Sequence, residues 1–162
     1  MAEPLIDQII RKLKEVAELY NRLILVVAPS NIGKISPLQD VGQRLDVPVV
    51  NVNLELSRAM LELPEKQRAL HARKLLEEIV SKLSGEIVLL DNIEILFDAS
   101  LKLNPLRLLQ LISRNRTLVV AWNGSIEKDH LTYASPDHPE YRRYPISGLS
   151  VICPALRSEK TG

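Results

Sequence analysis

The residues best suited to chemistry lie in the stretch VVAPSNIGKISPLQD, residues 26–40. An apolar run ends at Ala28, a short polar turn follows, and Gly33 and Lys34 come before a segment with helical spacing. Backbone N–H groups at the head of a helix attract phosphate, and a lysine there can reach its outer oxygens. The spacing approaches the phosphate-binding pattern of a glycine, four free positions and Gly-Lys-Ser/Thr. The predicted nucleotide-binding residues are Ala28, Pro29, Ser30, Asn31, Ile32, Gly33, Lys34, Ile35 and Ser36.

The stretch departs from that pattern at its first and last positions. Ala28 carries a methyl group where a glycine lets the chain turn tightly. Ile35 lacks the hydroxyl that ligates Mg²⁺, and Ser36, which has one, lies about 100° further around a helix. The ring of Pro37 would crowd the carbonyl of Gly33 if the helix began there, so we expect the helix to begin at Ser36. These departures predict nucleotide binding with slow hydrolysis.

Polar side chains after later apolar segments extend the predicted site. Asp91 follows a third apolar run and is placed to hold Mg²⁺ directly or through water, with the Ser36 hydroxyl as a further candidate ligand. Asn123 follows a fourth run and can sense a terminal phosphate or orient a water. Asn92 stands where many ATPases place the glutamate that activates water, so Glu94 is the nearest substitute. The expected cofactors are ATP and Mg²⁺.

Each of these signals also occurs in ordinary structure, because Gly-Lys turns and strand-ending aspartates are common. Their joint order is less easily accidental. A lysine turn after the first strand, an acid after the third and a polar residue after the fourth is the layout of the P-loop NTPases.

Apolar strands that alternate with amphipathic helices must position these residues. Such alternation predicts an α/β fold, a parallel sheet of about five strands covered by helices on both faces. Ligands bind such sheets at the carboxyl ends of the strands. The predicted strands are 23–27, 47–54, 86–91, 117–122 and 149–153, and the predicted helices are 4–20, 36–45, 56–63, 65–83 and 105–112. Residues 125–147 show little periodicity and are predicted to form an irregular polar loop.

Composition favours one domain inside the cell. The 162 residues are 46% hydrophobic, which is enough for a full core, and the net charge of +1 argues neither for nor against nucleic acid. Cys153 is the only cysteine, so no internal disulfide can form, and it is predicted to lie in the core. The charged start does not resemble a signal peptide, and no apolar run approaches the roughly 20 residues that cross a bilayer. We expect a cytoplasmic protein.

Two longer stretches carry a family resemblance, LLDNIEILFDASLKLNPLRLLQLISRNRTLVVAWNG and LTYASPDHPEYRRY. From about residue 23 to about residue 144, the sequence resembles the BrxF family, small P-loop proteins of type III BREX phage-defence systems in bacteria. The resemblance implies an ATPase core of the AAA+ or RecA-like class and a role in defence in the bacterial cytosol. Since the sequence ends too early for the helical lid that many AAA+ proteins carry, we expect a core without that lid. It also implies partner subunits that include a large ATPase, a methyltransferase and a phosphatase-like protein.

Four arginines are candidates for contacts outside the site. Arg114 and Arg116 lie between a helix and the fourth strand, where they either bind the helix C-terminal carbonyls or reach a neighbour's nucleotide or a DNA phosphate. An arginine that reaches a neighbour's nucleotide predicts a homo-oligomer. Arg142 and Arg143 lie among tyrosines, which predicts either a solvated loop or a DNA contact. The residues thus leave two hypotheses open, an ATPase-like subunit and a non-catalytic interaction or DNA-binding subunit with a degenerate P-loop.

Overall fold

The described residues of the computed structural model, 4–28, 37–134 and 139–154, form five α-helices and seven strands. The helices are α1 (Leu5–Val16), α2 (Leu38–Leu45), α3 (Val52–Met60), α4 (Glu65–Ser81) and α5 (Pro105–Ile112). The strands are β1 (Leu23–Ala28), β2 (Val49–Asn51), β3 (Ile87–Asp91), β4 (Thr117–Glu127), β5 (His130–Tyr133), β6 (Arg142–Pro145) and β7 (Ser150–Ile152). Two 3₁₀ turns, Glu94–Phe97 and Ala99–Leu101, follow β3.

Five of the strands form a parallel sheet in the order β2-β3-β4-β1-β7. The central strands are in close register, since Val120 of β4 lies between Leu90 of β3 and Leu25 of β1. Strands buried on both faces read as continuous apolar runs, which is why the sequence pattern located them. The α/β prediction with helices on both faces is confirmed.

The two faces of β1 belong to different cores. Leu23, Leu25 and Val27 join a large apolar cluster with α3, α4 and α5, whereas Ile24 and Val26 join a smaller one with α1 and α2. All five side chains are at most 5% exposed. The strand is therefore rigidly clamped, and its carboxyl end at Ala28 is a fixed point for the segment that follows.

The predicted second strand, 47–54, is wrong in its second half. Only Val49–Asn51 pairs with β3, and α3 begins at Val52. The side chain of Asn51 accepts a hydrogen bond from the backbone N–H of Leu54 at 3.0 Å, which is the N-cap geometry that starts a helix. By contrast, the predicted helix over 105–112 is confirmed, and Asn104 caps its start, because its side chain accepts a hydrogen bond from the backbone N–H of Arg107 at 3.2 Å.

The prediction of an irregular loop over 125–147 is also wrong. β4 leaves the parallel sheet after Asn123 and continues as the first strand of an antiparallel extension with β5 and β6. Lys128 and Asp129 both have positive φ, 50° and 64°, as in the tight turns that match the twist of a hairpin. We call β5, β6 and the last part of β4 the hairpin extension.

Two further findings concern Cys153 and the apolar character of the helices. Cys153 is exposed, so its predicted place in the core is wrong. Among the described residues, the structure contains no helix that is long and apolar enough to cross a membrane.

Candidate functional site

The polar residues predicted to act together meet at the carboxyl end of the parallel sheet. Ala28 at the end of β1 pairs with Asn123 on β4, and Asn51 at the end of β2 pairs with Asp91 at the end of β3. Glu94 follows β3 by one short turn. The edge is therefore lined by carboxylates and amides above an apolar sheet.

Glu94 is the centre of this edge. Its Oε1 accepts a hydrogen bond from Nδ2 of Asn53 at 2.9 Å, and its Oε2 accepts one from Nδ2 of Asn123. The carboxylate thus joins the start of α3 to β4 across the end of β3. Each oxygen keeps a second lone pair, so the carboxylate can still accept a proton from water, while the two amides fix its orientation.

The turn that delivers Glu94 explains why an asparagine follows Asp91. Asn92 has φ 53°, a left-handed conformation that asparagine tolerates better than glutamate does. Its backbone N–H donates to Oδ1 of Asp91 at 2.7 Å, and its carbonyl accepts from the N–H of Asn53 at 2.8 Å. The turn reverses the chain, so the acid three positions after Asp91 returns to the site.

Asn53 is a site residue that sequence reasoning missed. Besides its bond to Glu94, its Oδ1 accepts from the backbone N–H of Ile95 at 2.7 Å. Every polar group of its side chain therefore holds the 3₁₀ turn that carries Glu94. A polar residue just beyond the end of a strand is a signal for a site residue. Asn53 was missed because the second strand was predicted to continue through Leu54.

Tyr133 on β5 was missed as well. Its ring is buried against Phe97, with the two ring centroids 3.5 Å apart and the planes nearly parallel. Burial, followed by the negative charges of Glu94 and Glu140, raises the pKa of Tyr133 to about 12. The hydroxyl therefore stays protonated over the working range of pH, so Tyr133 adds no negative charge to that of Glu94.

Asp91 is half-buried at the end of β3. Its Oδ1 accepts from the Asn92 N–H, and within the described ranges no partner contacts Oδ2. No group of three or more His, Cys, Asp or Glu side chains suited to a metal occurs among those residues. A single available carboxylate is nevertheless the kind of ligand that Mg²⁺ uses beside a nucleotide, where phosphates and water supply the rest.

The predicted phosphate-binding segment covers residues 28–36. Its members Pro29, Ser30, Asn31, Ile32, Gly33, Lys34, Ile35 and Ser36 lie outside the described residues. The chain leaves β1 at Ala28, beside Asn123, and α2 begins at Leu38 rather than at the expected Ser36. The segment with Gly33 and Lys34 therefore starts at the edge of the sheet where Glu94 is bonded to Asn53 and Asn123.

Arg114 and Arg116 lie at the other end of the sheet, before β4 begins. Arg116 donates to the backbone carbonyls of Val80 and Ser81 at 3.2 and 3.4 Å, at the C-terminus of α4. The guanidinium of Arg114 lies 4.4 Å from the ring centroid of Tyr20. These are contacts within the subunit, and a role of either arginine at a neighbour's nucleotide stays a prediction.

Arg142 and Arg143 lie on β6, the outer strand of the hairpin extension. Arg142 is half-buried and donates to the carbonyl of Tyr141 at 3.3 Å, whereas Arg143 is exposed. The ring of Tyr144 packs edge-on against Trp122, with centroids 6.0 Å apart. Because that ring serves the core, contact with DNA here would depend on charge rather than on stacking.

No protein-family model and no curated protein matches the chain. The resemblance to the BrxF family stays a prediction.

Proposed function

We propose that the protein is a P-loop ATPase-like subunit that binds ATP or ADP with Mg²⁺ and hydrolyses ATP slowly. One observation carries the proposal. Asp91, Glu94 and Asn123 lie together at the carboxyl end of a parallel sheet, at the edge where the segment with Gly33 and Lys34 leaves β1.

The strand order supports the same class. β4 lies between β1 and β3, so the strand with Asn123 separates the strand before the lysine segment from the strand that ends in Asp91. In this arrangement a polar residue of β4 faces the gap between a bound phosphate and the metal-binding acid, which suits Asn123 for sensing a terminal phosphate.

Each residue has a distinct role in this proposal. Lys34 and the backbone N–H groups around Gly33 would bind the phosphates, and Asp91 would hold Mg²⁺, which neutralises phosphate charge when it is bound. Glu94 is the candidate base. Two amides fix the orientation of its carboxylate, and this restraint joins the missing hydroxyl at Ile35 as a reason for slow turnover.

The biological setting rests on the resemblance alone. We propose a cytoplasmic component of a BREX-type phage-defence system that works with other subunits of that system and also self-associates. A neighbouring copy would cover the open side of the bound nucleotide. Arg114 is the better candidate to reach it, because Arg116 already donates to two carbonyls of its own subunit.

Light scattering tests self-association. We expect a larger particle when ATP is added at tens of micromolar protein, and a smaller response in an Arg114→Ala variant, because a neighbour's arginine stabilises phosphate charge. Arg73→Ala on the exposed face of α4 is the matched control and should assemble like wild type. A strict monomer in the presence of ATP would contradict self-association.

Calorimetric titration tests nucleotide binding. With Mg²⁺ present, Asp91→Ala is expected to bind ATP about tenfold more weakly than wild type, because a charge-assisted contact is lost. With a chelator present, the two proteins should bind alike, and Glu77→Ala on α4 should match wild type under both conditions. If wild type binds no nucleotide at millimolar concentration, the ATPase-like proposal fails.

That failure would favour the second candidate function, a non-catalytic interaction or DNA-binding subunit with a degenerate P-loop. The specific observation for it is the restrained Glu94, whose carboxylate serves as a structural link between α3 and β4. Exposed Arg143 on the hairpin extension offers the candidate DNA contact. In this case the carboxylate and its two amides would be retained for the stability of the fold.

A further inference from the structure

The end of the sheet opposite the candidate nucleotide site carries an exposed aromatic ring. Tyr20 is 72% exposed, whereas every other aromatic side chain of the chain is buried or half-buried. The guanidinium of Arg114 lies over one face of the ring, 4.4 Å from its centroid. A tyrosine held on one face by a cation presents a flat, hydrophobic surface to solvent on the other.

Backbone hydrogen bonds fix this pair in place. The N–H of Arg22 donates to the carbonyl of Ser113 at 3.1 Å, and its carbonyl accepts from the N–H of Leu118 at 2.9 Å. The guanidinium of Arg22 also donates to the carbonyl of Arg114 at 2.9 Å. The segment with Tyr20 is therefore tied to the segment with Arg114, so little ordering is needed to bind a ligand there.

The surroundings of the ring are positively charged. Arg22 and Arg114 lie beside the ring, and Arg116 lies at the same end of the sheet, where it donates to the end of α4. Within the described residues, the only acid in ion-pair contact with any of the three is Glu86, which is 4.0 Å from Arg22 and 86% exposed. An exposed pair at that distance neutralises little charge. Uncompensated arginines next to an exposed ring favour a ligand that is both anionic and flat.

We propose that the surface formed by Tyr20, Arg22 and Arg114 binds single-stranded nucleic acid. An unpaired base stacks on Tyr20, while the arginines contact the phosphate backbone, as in sequence-tolerant single-strand sites. A duplex lacks accessible base faces for this contact. Tyrosine and arginine are also enriched at protein interfaces, so a second copy of the chain is the rival occupant that the test must separate. The inference does not rest on the proposed nucleotide binding, but Arg114 cannot contact a neighbour's nucleotide and an oligonucleotide at once, so these two roles of Arg114 are alternatives.

Fluorescence anisotropy with a labelled oligothymidine of about 15 nucleotides tests the proposal. We expect Tyr20→Ala to bind about tenfold more weakly than wild type and Tyr20→Phe to bind nearly as well, because the ring is retained. Arg114→Ala should lower the slope of log affinity against log salt by about 0.7, the loss of one phosphate contact. Arg73→Ala, which removes an exposed arginine of α4, should leave binding unchanged.

Four outcomes would overturn the proposal. They are no binding at about 50 mM salt, equal binding by Tyr20→Ala and wild type, equal affinity for a duplex of the same length, and a greater loss in an Arg142/Arg143→Ala pair than in Tyr20→Ala. Light scattering without oligonucleotide covers a further rival. Assembly that Tyr20→Ala abolishes would assign the surface to a second copy of the chain.

Discussion

Truncation of Trp122 to alanine is expected to lower the free energy of unfolding by about 3–5 kcal/mol. The side chain is 1% exposed and contacts three aromatic rings, those of Phe97, Tyr133 and Tyr144. Its Nε1 also donates to the backbone carbonyl of Thr132 at 3.0 Å. Alanine would leave a cavity and remove the indole hydrogen bond, so the transfer and hydrogen-bond losses act together.

Urea unfolding followed by circular dichroism measures this effect, since removal of the only tryptophan eliminates its fluorescence. Trp122→Phe should lower the free energy of unfolding by less than Trp122→Ala does. It retains an aromatic ring in the core and loses only the indole hydrogen bond and part of the contact area. Tyr20→Ala truncates an exposed aromatic side chain and should change stability by no more than about 0.5 kcal/mol. A loss below about 1 kcal/mol for Trp122→Ala would mean that the hairpin extension is not packed on the core as described.

This residue matters for function because of its position. Trp122 directly precedes Asn123, and Tyr133, which it contacts, lies beside Glu94. Gly124 allows the close approach of the two strands here, since a Cβ at that position would lie 1.8 Å from the carbonyl oxygen of Thr132. The hairpin extension and the candidate site therefore share one packed junction, and movement of the extension would disturb the Asn123–Glu94 bond.

Most of the parallel sheet could be predicted from the sequence, because its signals are local. A strand buried on both faces must be an apolar run, and a helix cap such as Asn104 lies within three residues of the N–H that it binds. Asn51 shows the limit of that reasoning. Its neighbours read as a continued strand, but its side chain ends the strand by capping α3, and only the three-dimensional pairing with β3 decides between the two.

The hairpin extension was harder to predict from the sequence, because its signals are also not local. Its strands are short and partly polar, and its apolar members pack against Trp122, which belongs to another element. Asn53 is similar, since its partner Glu94 is 41 residues away and the contact depends on β2 and β3 being neighbours. Sequence spacing identified Asp91, Glu94 and Asn123 as polar ends of strands, but it could not show that Glu94 is held by amides on both sides.

Replacement of Lys34 by alanine is expected to weaken ATP binding by about 1.5–3 kcal/mol, which is about 10- to 150-fold. Lys34 lies outside the described residues, so the expectation rests on its segment. That segment begins beside Asn123, at the end of a clamped strand, and it leads to the start of α2. An ammonium group at this place would neutralise the outer phosphates, and alanine offers neither the charge nor a donor.

Calorimetry of wild type, Lys34→Ala and Lys74→Ala separates this contact from general charge effects. Lys74 is an exposed lysine on α4 and its replacement changes the net charge equally, so it should bind ATP like wild type. Adenosine, which has no phosphates, should not distinguish the three proteins. Equal ATP affinity in wild type and Lys34→Ala would place the phosphates away from the β1–α2 segment, even if nucleotide binds. A loss of ATP affinity with unchanged adenosine affinity would instead assign to Lys34 the phosphate contact that its position after β1 predicts.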